Sequence, residues 1–283
     1  DAYLAMREGQ FDDIIDGVEK QVIWAGEANV KTPLSIIYLH GFTASSKEIR
    51  PVPDRVATAL GANLYFTRFT GHGRQPSAMA DATVARWMDD VGEAIEIGKQ
   101  IGETVIIMAT STGGTLAAAA ALDKAAMEHI GGIIFISPNF AINSRAANLL
   151  TWPFARQWVP LVIGTEQKGN PRNDLHAHYW MMTYPTTALM PMAAIVAAVD
   201  RESYDDVDIP ALFYYSRQDQ VVAPEKTAAF ARSWGGESKT IIASLTAGDD
   251  KFSHIIAGDI VSPNQTASAV EHMVAWITGL QNR

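Results

Sequence analysis

An α/β fold, with a mostly parallel central sheet flanked by helices and carrying a helical insertion, is predicted by three observations. Short apolar runs alternate along the chain with longer amphipathic stretches, the order expected when each strand is followed by a helix that packs back on the sheet. Several runs are unbroken and β-branched or aromatic, as in Ser35-Ile36-Ile37-Tyr38-Leu39 and Val105-Ile106-Ile107-Met108-Ala109, which suits strands buried on both faces. Between residues 141 and 210 the alternation stops, and a stretch rich in Trp, Met and Pro takes its place.

Strands are placed at residues 21–24, 35–39, 64–67, 105–109, 133–136, 212–215 and 240–244. After the second of these, Ser45 and Glu48 have the spacing of a capping box at a helix start. Val84, Trp87, Met88, Val91, Ala94 and Ile95 form one apolar helical stripe, with Asp89, Asp90, Glu93 and Glu96 on the other faces and expected in solvent. The strand at 105–109 runs into an alanine-rich helix beyond Ser111. Connections in compact domains are usually about 4–6 residues, so 141–210 needs structure of its own and is expected to be mostly helical. The last helix is expected to open at Ser262, with Pro263 first and Gln265 completing a capping box, and to bury Val270, Met273, Val274 and Ile277. The division is therefore a core of residues 1–140 and 211–283 with an insertion at 141–210.

Composition narrows the function. The 283 residues include 48% hydrophobic side chains, enough for a sizeable core. With 22 basic and 31 acidic residues the net charge is −9, and there is no basic block of the kind a nucleic-acid partner requires. Cysteine is absent, which excludes disulfides, thiolate nucleophiles and Cys-based zinc sites. No apolar run approaches the roughly 20 residues that span a bilayer. Because the chain begins at Asp1, an upstream signal or anchor segment can have been removed; the compartment stays open, the cytoplasm being the default expectation.

The candidate chemistry starts at Ala109-Thr110-Ser111-Thr112-Gly113-Gly114, between an apolar strand and a helix. A nucleophile elbow places its serine on such a turn, and crowding there demands small residues two before and two after it. Here these are Ala109, where glycine is usual, and Gly113. The plainer reading is a helix N-terminus capped by Ser111 or Thr112. A serine hydroxyl needs an adjacent base, and in the order Ser, acid, His the acid follows a later strand and the base precedes the last helix. Asp219 lies just after the strand at 212–215, with Val221, Val222 and Pro224 to anchor its loop, and His254 lies ahead of the last helix. Judged singly these are a turn-forming Asp and a surface His. Together they stand at the right strand ends in the right order. Asp249 and Asp250 remain alternative acids, less well placed than Asp219.

An oxyanion needs two donors. The N–H of Thr112, after the serine, is one candidate, and the N–H of Phe42, aimed by the turn at Gly41, is the other. His40 and His72 read as structural, and His176 with His178 lacks further ligands at zinc spacing, so no metal is expected.

These residues together resemble the bacterial monoacylglycerol lipase and small carboxylesterase branch of the α/β-hydrolase superfamily. The matching pieces are HGFTA at His40–Ala44, RPV at Arg50–Val52, GHGR at Gly71–Arg74, Trp87, STGGTL at Ser111–Leu116, D-x-VV-x-P at Asp219–Pro224 and SH at Ser253–His254. The resemblance implies an α/β-hydrolase fold with a helical lid at 141–210. It also implies a nucleophile at Ser111, an acid at Asp219, a base at His254 and oxyanion donors at Phe42 and Thr112. Ala109 and the composition of the insertion depart from the family pattern.

The expected activity is hydrolysis of a carboxylic ester, medium-chain or monoacylglycerol-like, through an acyl-enzyme and with no cofactor. Trp152, Trp180, Met181 and Met190 are candidates for lining an acyl slot, and the expected partner is a small-molecule ester. Two rival readings are a peptidase or amidase on the same residues and a non-catalytic binding protein on the same fold. An epoxide hydrolase or dehalogenase would need a carboxylate at Ser111.

Overall fold

The computed structural model describes residues 1–144 and 146–282. Seven strands form the main sheet: β1 (Gln21–Ile23), β2 (Thr32–Leu39), β3 (Asn63–Phe66), β4 (Gly102–Thr110), β5 (Ile130–Ile136), β8 (Ala211–Tyr215) and β9 (Ser238–Ile242), in the spatial order β1-β3-β2-β4-β5-β8-β9. All neighbours run parallel except β1, which pairs antiparallel with β3. Each expected strand exists, with ends shifted by a few residues.

Alternation along the strands sorts the core into two layers. Ile37, Leu39, Tyr65, Ile107, Ala109, Phe135 and Phe213 face one side, where α3 (Val84–Ile101) and α4 (Thr112–Ala120) cover them. Ile36, Tyr38, Phe66, Met108, Ile134 and Tyr214 face the other, under α2 (Val52–Leu60) and α9 (Thr266–Gln281). The chain opens with α1 (Ala2–Glu8), and α8 (Pro224–Ser233) joins β8 to β9.

Between β5 and β8 the insertion holds α5 (Ala155–Ile163), α6 (Asp174–Tyr179), α7 (Leu189–Val199) and two short 3₁₀ turns. It also contains a two-stranded antiparallel sheet of β6 (Glu166–Lys168) and β7 (Thr183–Pro185), with α6 between them in sequence, which the apolar pattern does not reveal because the strands are three residues long and carry no aliphatic run. The helix α7 packs on α4.

Three sequence expectations are corrected. Asp90 and Glu93 are not solvated: both pair with the buried Lys20, and Asp90 Oδ2 also accepts the Thr70 N–H at 2.6 Å. Ser45 and Glu48 open no helix, because α2 starts only at Val52. Ser262 and Gln265 form no capping box. The Ser262 hydroxyl donates to the Ile255 carbonyl and accepts the Asp250 N–H, while Gln265 Nε2 donates to Asp249 at 2.8 Å.

Candidate active site

The site lies at the carboxyl ends of β2, β4, β8 and β9. At the end of β4 the chain turns through Ser111, which has φ 51° and ψ −118°, and enters α4 at once. Only a tight approach permits this. A Cβ on Gly113 would lie 2.3 Å from the Leu39 carbonyl oxygen, and one on Gly41 would lie 3.1 Å from Ser111 Cβ. Glycine at these positions lets the start of α4 and the loop after β2 close to within backbone contact.

The loop after β8 carries Asp219. Its Oδ1 accepts the N–H groups of Val221 (2.8 Å) and Val222 (3.0 Å), which leaves Oδ2 to accept from His254 Nδ1 at 2.8 Å. On the other side of the imidazole, Nε2 stands 3.0 Å from Ser111 Oγ. Since Nδ1 keeps its proton and donates it in the hydrogen bond to Asp219, Nε2 of the neutral imidazole is the acceptor, and the Ser111 hydroxyl donates to it. All three residues are buried; Ser111 is 7% and His254 8% exposed. Burial alone would depress the His254 pKa, but the hydrogen bond and charge of Asp219, with the charges of Glu48 and Asp250, outweigh it and raise the value above the ordinary range. A hydroxyl, an imidazole and a carboxylate in such a row can move a proton off the hydroxyl as it attacks a carbonyl.

The alternative acids do not reach the imidazole. Asp249 accepts from Thr246, Asn264 and Gln265. Asp250 accepts the N–H groups of His254 and Ile255 (both 3.0 Å) and shapes their loop, and it is paired with Arg172 of the insertion at 2.7 Å.

The loop Gly41–Thr43 is braced from several directions. Gly41 N–H donates to Glu48 Oε2 (2.8 Å), and the Gly41 carbonyl accepts from His40 Nδ1 (2.9 Å). Thr43 N–H donates to His72 Nε2 (3.1 Å), and the Thr43 carbonyl accepts the N–H of Met181 (2.7 Å) from the insertion. His40 Nε2 in turn accepts the Phe69 N–H at 3.1 Å. Both rings are neutral: burial pushes His40 down to about 4 and His72 well below its ordinary value. Neither the Phe42 N–H nor the Thr112 N–H is taken up by another described residue.

Of the slot candidates, Met181 packs with Met79 and Ala188 against Phe42. Trp180 packs in the core layer that includes Ile255 and Ile256. Trp152 and Met190 line a separate groove of about 460 Å³ on the insertion, which Ser111 does not line. Met192, on α7, lies 3.5 Å from Asn139 Nδ2, itself 3.5 Å from Thr112 Oγ1. His176 Nδ1 accepts the Arg172 N–H at 3.1 Å. Sequence reasoning did not single out Glu48, Asn139 or Arg172 for the site.

Fold and site geometry together define an α/β-hydrolase. The chain belongs to the family described as serine aminopeptidase, S33 (Hydrolase_4), whose model matches residues 31–244. It is 28% identical over 213 residues to a thermostable monoacylglycerol lipase from Bacillus sp. (strain H-257), covering 74% of this chain and 80% of that one. Among solved structures, one described with LipS and LipT, two metagenome-derived lipolytic enzymes, superposes with a TM-score of 0.73 at 21% identity over 94% of this chain and 99% of the other. A soluble variant of the Saccharomyces cerevisiae monoglyceride lipase, in complex with a substrate analogue, gives 0.69 at 13% identity over 93% and 91%.

Proposed function

We propose that Ser111, His254 and Asp219 hydrolyse a carboxylic ester through an acyl-enzyme, the single carrying observation being their hydrogen-bonded row beside two unengaged N–H groups. The chain is a carboxylic ester hydrolase. Ser111 Oγ attacks the ester carbonyl while His254 Nε2 takes its proton. Asp219 holds the imidazole in the Nδ1–H tautomer and stabilises the imidazolium. The N–H groups of Phe42 and Thr112 stabilise the oxyanion, and the alcohol leaves with the proton from His254. Water activated by His254 then releases the acid. Residues 141–210 serve as the lid: the contacts of Met181 with Thr43, of Arg172 with Asp250 and of Met192 with Asn139, each beside the site, support this.

The substrate is a medium-chain, monoacylglycerol-like monoester. Support comes from the Bacillus relative named as a monoacylglycerol lipase and from the apolar side chains around the site. Met181, against Phe42, and Met192, near Asn139, line the acyl slot, methionine adapting to a flexible chain. Trp180 supports that wall from the core, whereas Trp152 and Met190, on a separate groove of the insertion, take no part in the slot. The test is covalent labelling by a fluorophosphonate with hydrolysis of matched esters and anilides. Labelling at Ser111 with ester turnover is the expected result. Preferential cleavage of the anilide would favour the peptidase reading that the family description suggests.

A further inference from the structure

Behind the loop that carries Phe42 lies a carboxylate with no part in the proposed row. Glu48 is 3% exposed, and burial pushes its pKa up to about 7 against the opposing pull of the Gly41 N–H, Tyr38 and His254. Its Oε2 accepts the Gly41 N–H at 2.8 Å and the Tyr38 hydroxyl at 2.9 Å. That hydroxyl lies 3.0 Å from Thr110 Oγ1, on the residue before Ser111. The backbone of Glu48 and Ile49 also packs against Gly258, in the loop that follows His254: a Cβ there would meet the Glu48 carbonyl oxygen at 3.0 Å. One side chain thus touches the oxyanion loop and Tyr38, which reaches the elbow, while its backbone meets the histidine loop.

We propose that Glu48 is a positioning residue of the hydrolase, fixing the Gly41 peptide so that the Phe42 N–H stays aimed at the oxyanion and, when ionised, steadying the His254 imidazolium. This rests on the triad reading above. A neutral helix cap or a water could satisfy Gly41 without desolvating a carboxylate, and burying a charge is costly unless it is paired or hydrogen-bonded. The oxyanion stage places a positive charge on His254, and the charges of His254 and this buried acid favour one another, so part of the cost is offset when the imidazolium forms. The groups that act on His254 are Asp219 at Nδ1, Ser111 at Nε2, Asp250 from its own loop and Glu48 from beyond Gly41. Arg172 partly neutralises Asp250, while Tyr38 and His254 are the titratable groups acting on Glu48.

The experiment compares the wild-type chain with Glu48→Gln and Glu48→Ala on a soluble p-nitrophenyl ester, from about pH 5 to 9, with thermal denaturation to verify folding. Glu48→Gln keeps an acceptor for Gly41 and loses the charge. Its acid limb of kcat/KM should move to lower pH, on the order of half a unit, because an anion that raised the His254 pKa is gone. The wild-type limb should be broader, since two interacting groups titrate together. Glu48→Ala loses both contacts and should lower kcat about ten-fold or more with little change in KM, the mark of a misplaced oxyanion donor. If Glu48→Ala does not fold, Tyr38→Phe, which removes a donor that favours ionised Glu48, should move the limb in the same direction as Glu48→Gln. Superimposable acid limbs in wild type, Glu48→Gln and Tyr38→Phe would overturn the proposal. A fluorophosphonate that labels Ser111→Ala as well as wild type would instead overturn the triad reading, which keeps the two failures distinct.

Discussion

Ser111 has φ 51°, a region that costs a side chain with a Cβ free energy of about 1–3 kcal/mol and persists only where its surroundings enforce it. Here they do so through the close approach of α4 to β2, and the strained turn holds the hydroxyl toward His254. Ser111→Ala should fold normally and lose both ester hydrolysis and fluorophosphonate labelling; persistent labelling of another serine would show that the nucleophile lies elsewhere. Asp219→Asn keeps the shape but favours the wrong imidazole tautomer, so turnover should drop roughly 10⁴-fold, as in comparable triads. Asp249→Ala, whose contacts stay within its own loop and the start of the last helix, should change turnover little. The two kcat values measured side by side decide between the acids. Because His254 must be neutral to accept the proton and its pKa is raised, kcat/KM should fall on the acid side with a midpoint above the ordinary histidine value of about 6.5. A midpoint well below that would show that the Asp219 contact does not govern the base. Ser111 and Asp219 were legible as candidates because each closely follows the end of an apolar strand, and His254 because it lies in the loop between the last strand and the last helix. Glu48 was not legible. Its spacing from Ser45 mimics a capping box, and the signal against that reading was Pro51, which disfavours helix at the residue before it.

At the scale of elements, the apolar runs located every strand of the main sheet. Burial on both faces makes β3, β5, β8 and most of β2 and β4 unambiguous, while the edge strands β1 and β9 are partly exposed and stand out by their β-branched residues. The small sheet β6–β7 and the insertion's contacts with the two active-site loops were not readable. They depend on which surfaces meet in space, through Arg172 to Asp250 and Met181 to Thr43, and no local periodicity records that. The close contact of α4 with β2 can be probed by Gly113→Ala. Its Cβ would overlap the backbone oxygens of Leu39 and His40, so the substitution should destabilise by about 1–3 kcal/mol. It should also reduce kcat, because Phe42 and Ser111 are displaced relative to each other. A thermal midpoint and kcat both equal to wild type would show that this contact is not tight. For the acyl slot, each methylene buried contributes about 0.8 kcal/mol, so kcat/KM should rise several-fold per carbon until the slot fills. Measured on p-nitrophenyl esters from acetyl to palmitoyl, the optimum should fall at medium chains; a steady decline from acetate would remove the slot but not the triad.

Across the whole molecule, the segment from α1 to β1 is clipped to the core by buried charges: Glu8 to Arg68 at 2.8 Å, and Lys20 to Asp90 at 3.2 Å. Burial pushes the Glu8 carboxyl up, but the hydrogen bond and charge of Arg68, with help from Lys20, bring it below the usual glutamate range. Its contribution to stability is therefore present above that range and is lost as the pH falls through the depressed value. Arg68→Leu leaves Glu8 buried without its partner and should cost about 3 kcal/mol or more. Urea denaturation at neutral pH measures that loss, and the difference between variant and wild type should shrink as Glu8 protonates. A difference that stays constant down to acid pH would show that Arg68 stabilises by packing alone.

The insertion leaves the sheet after β5 and returns at β8, and these strands are neighbours, in register from Ile133 with Ala211 to Ile136 with Tyr214. The sheet thus holds the two ends of the excursion side by side. Doubling the length of such a loop costs only about 0.6 kcal/mol in closure entropy. The segment between these strands can therefore change length at small entropic cost, but its contacts from Arg172 to Asp250 and from Met181 to Thr43 tie any such change to the loops that carry His254 and Phe42.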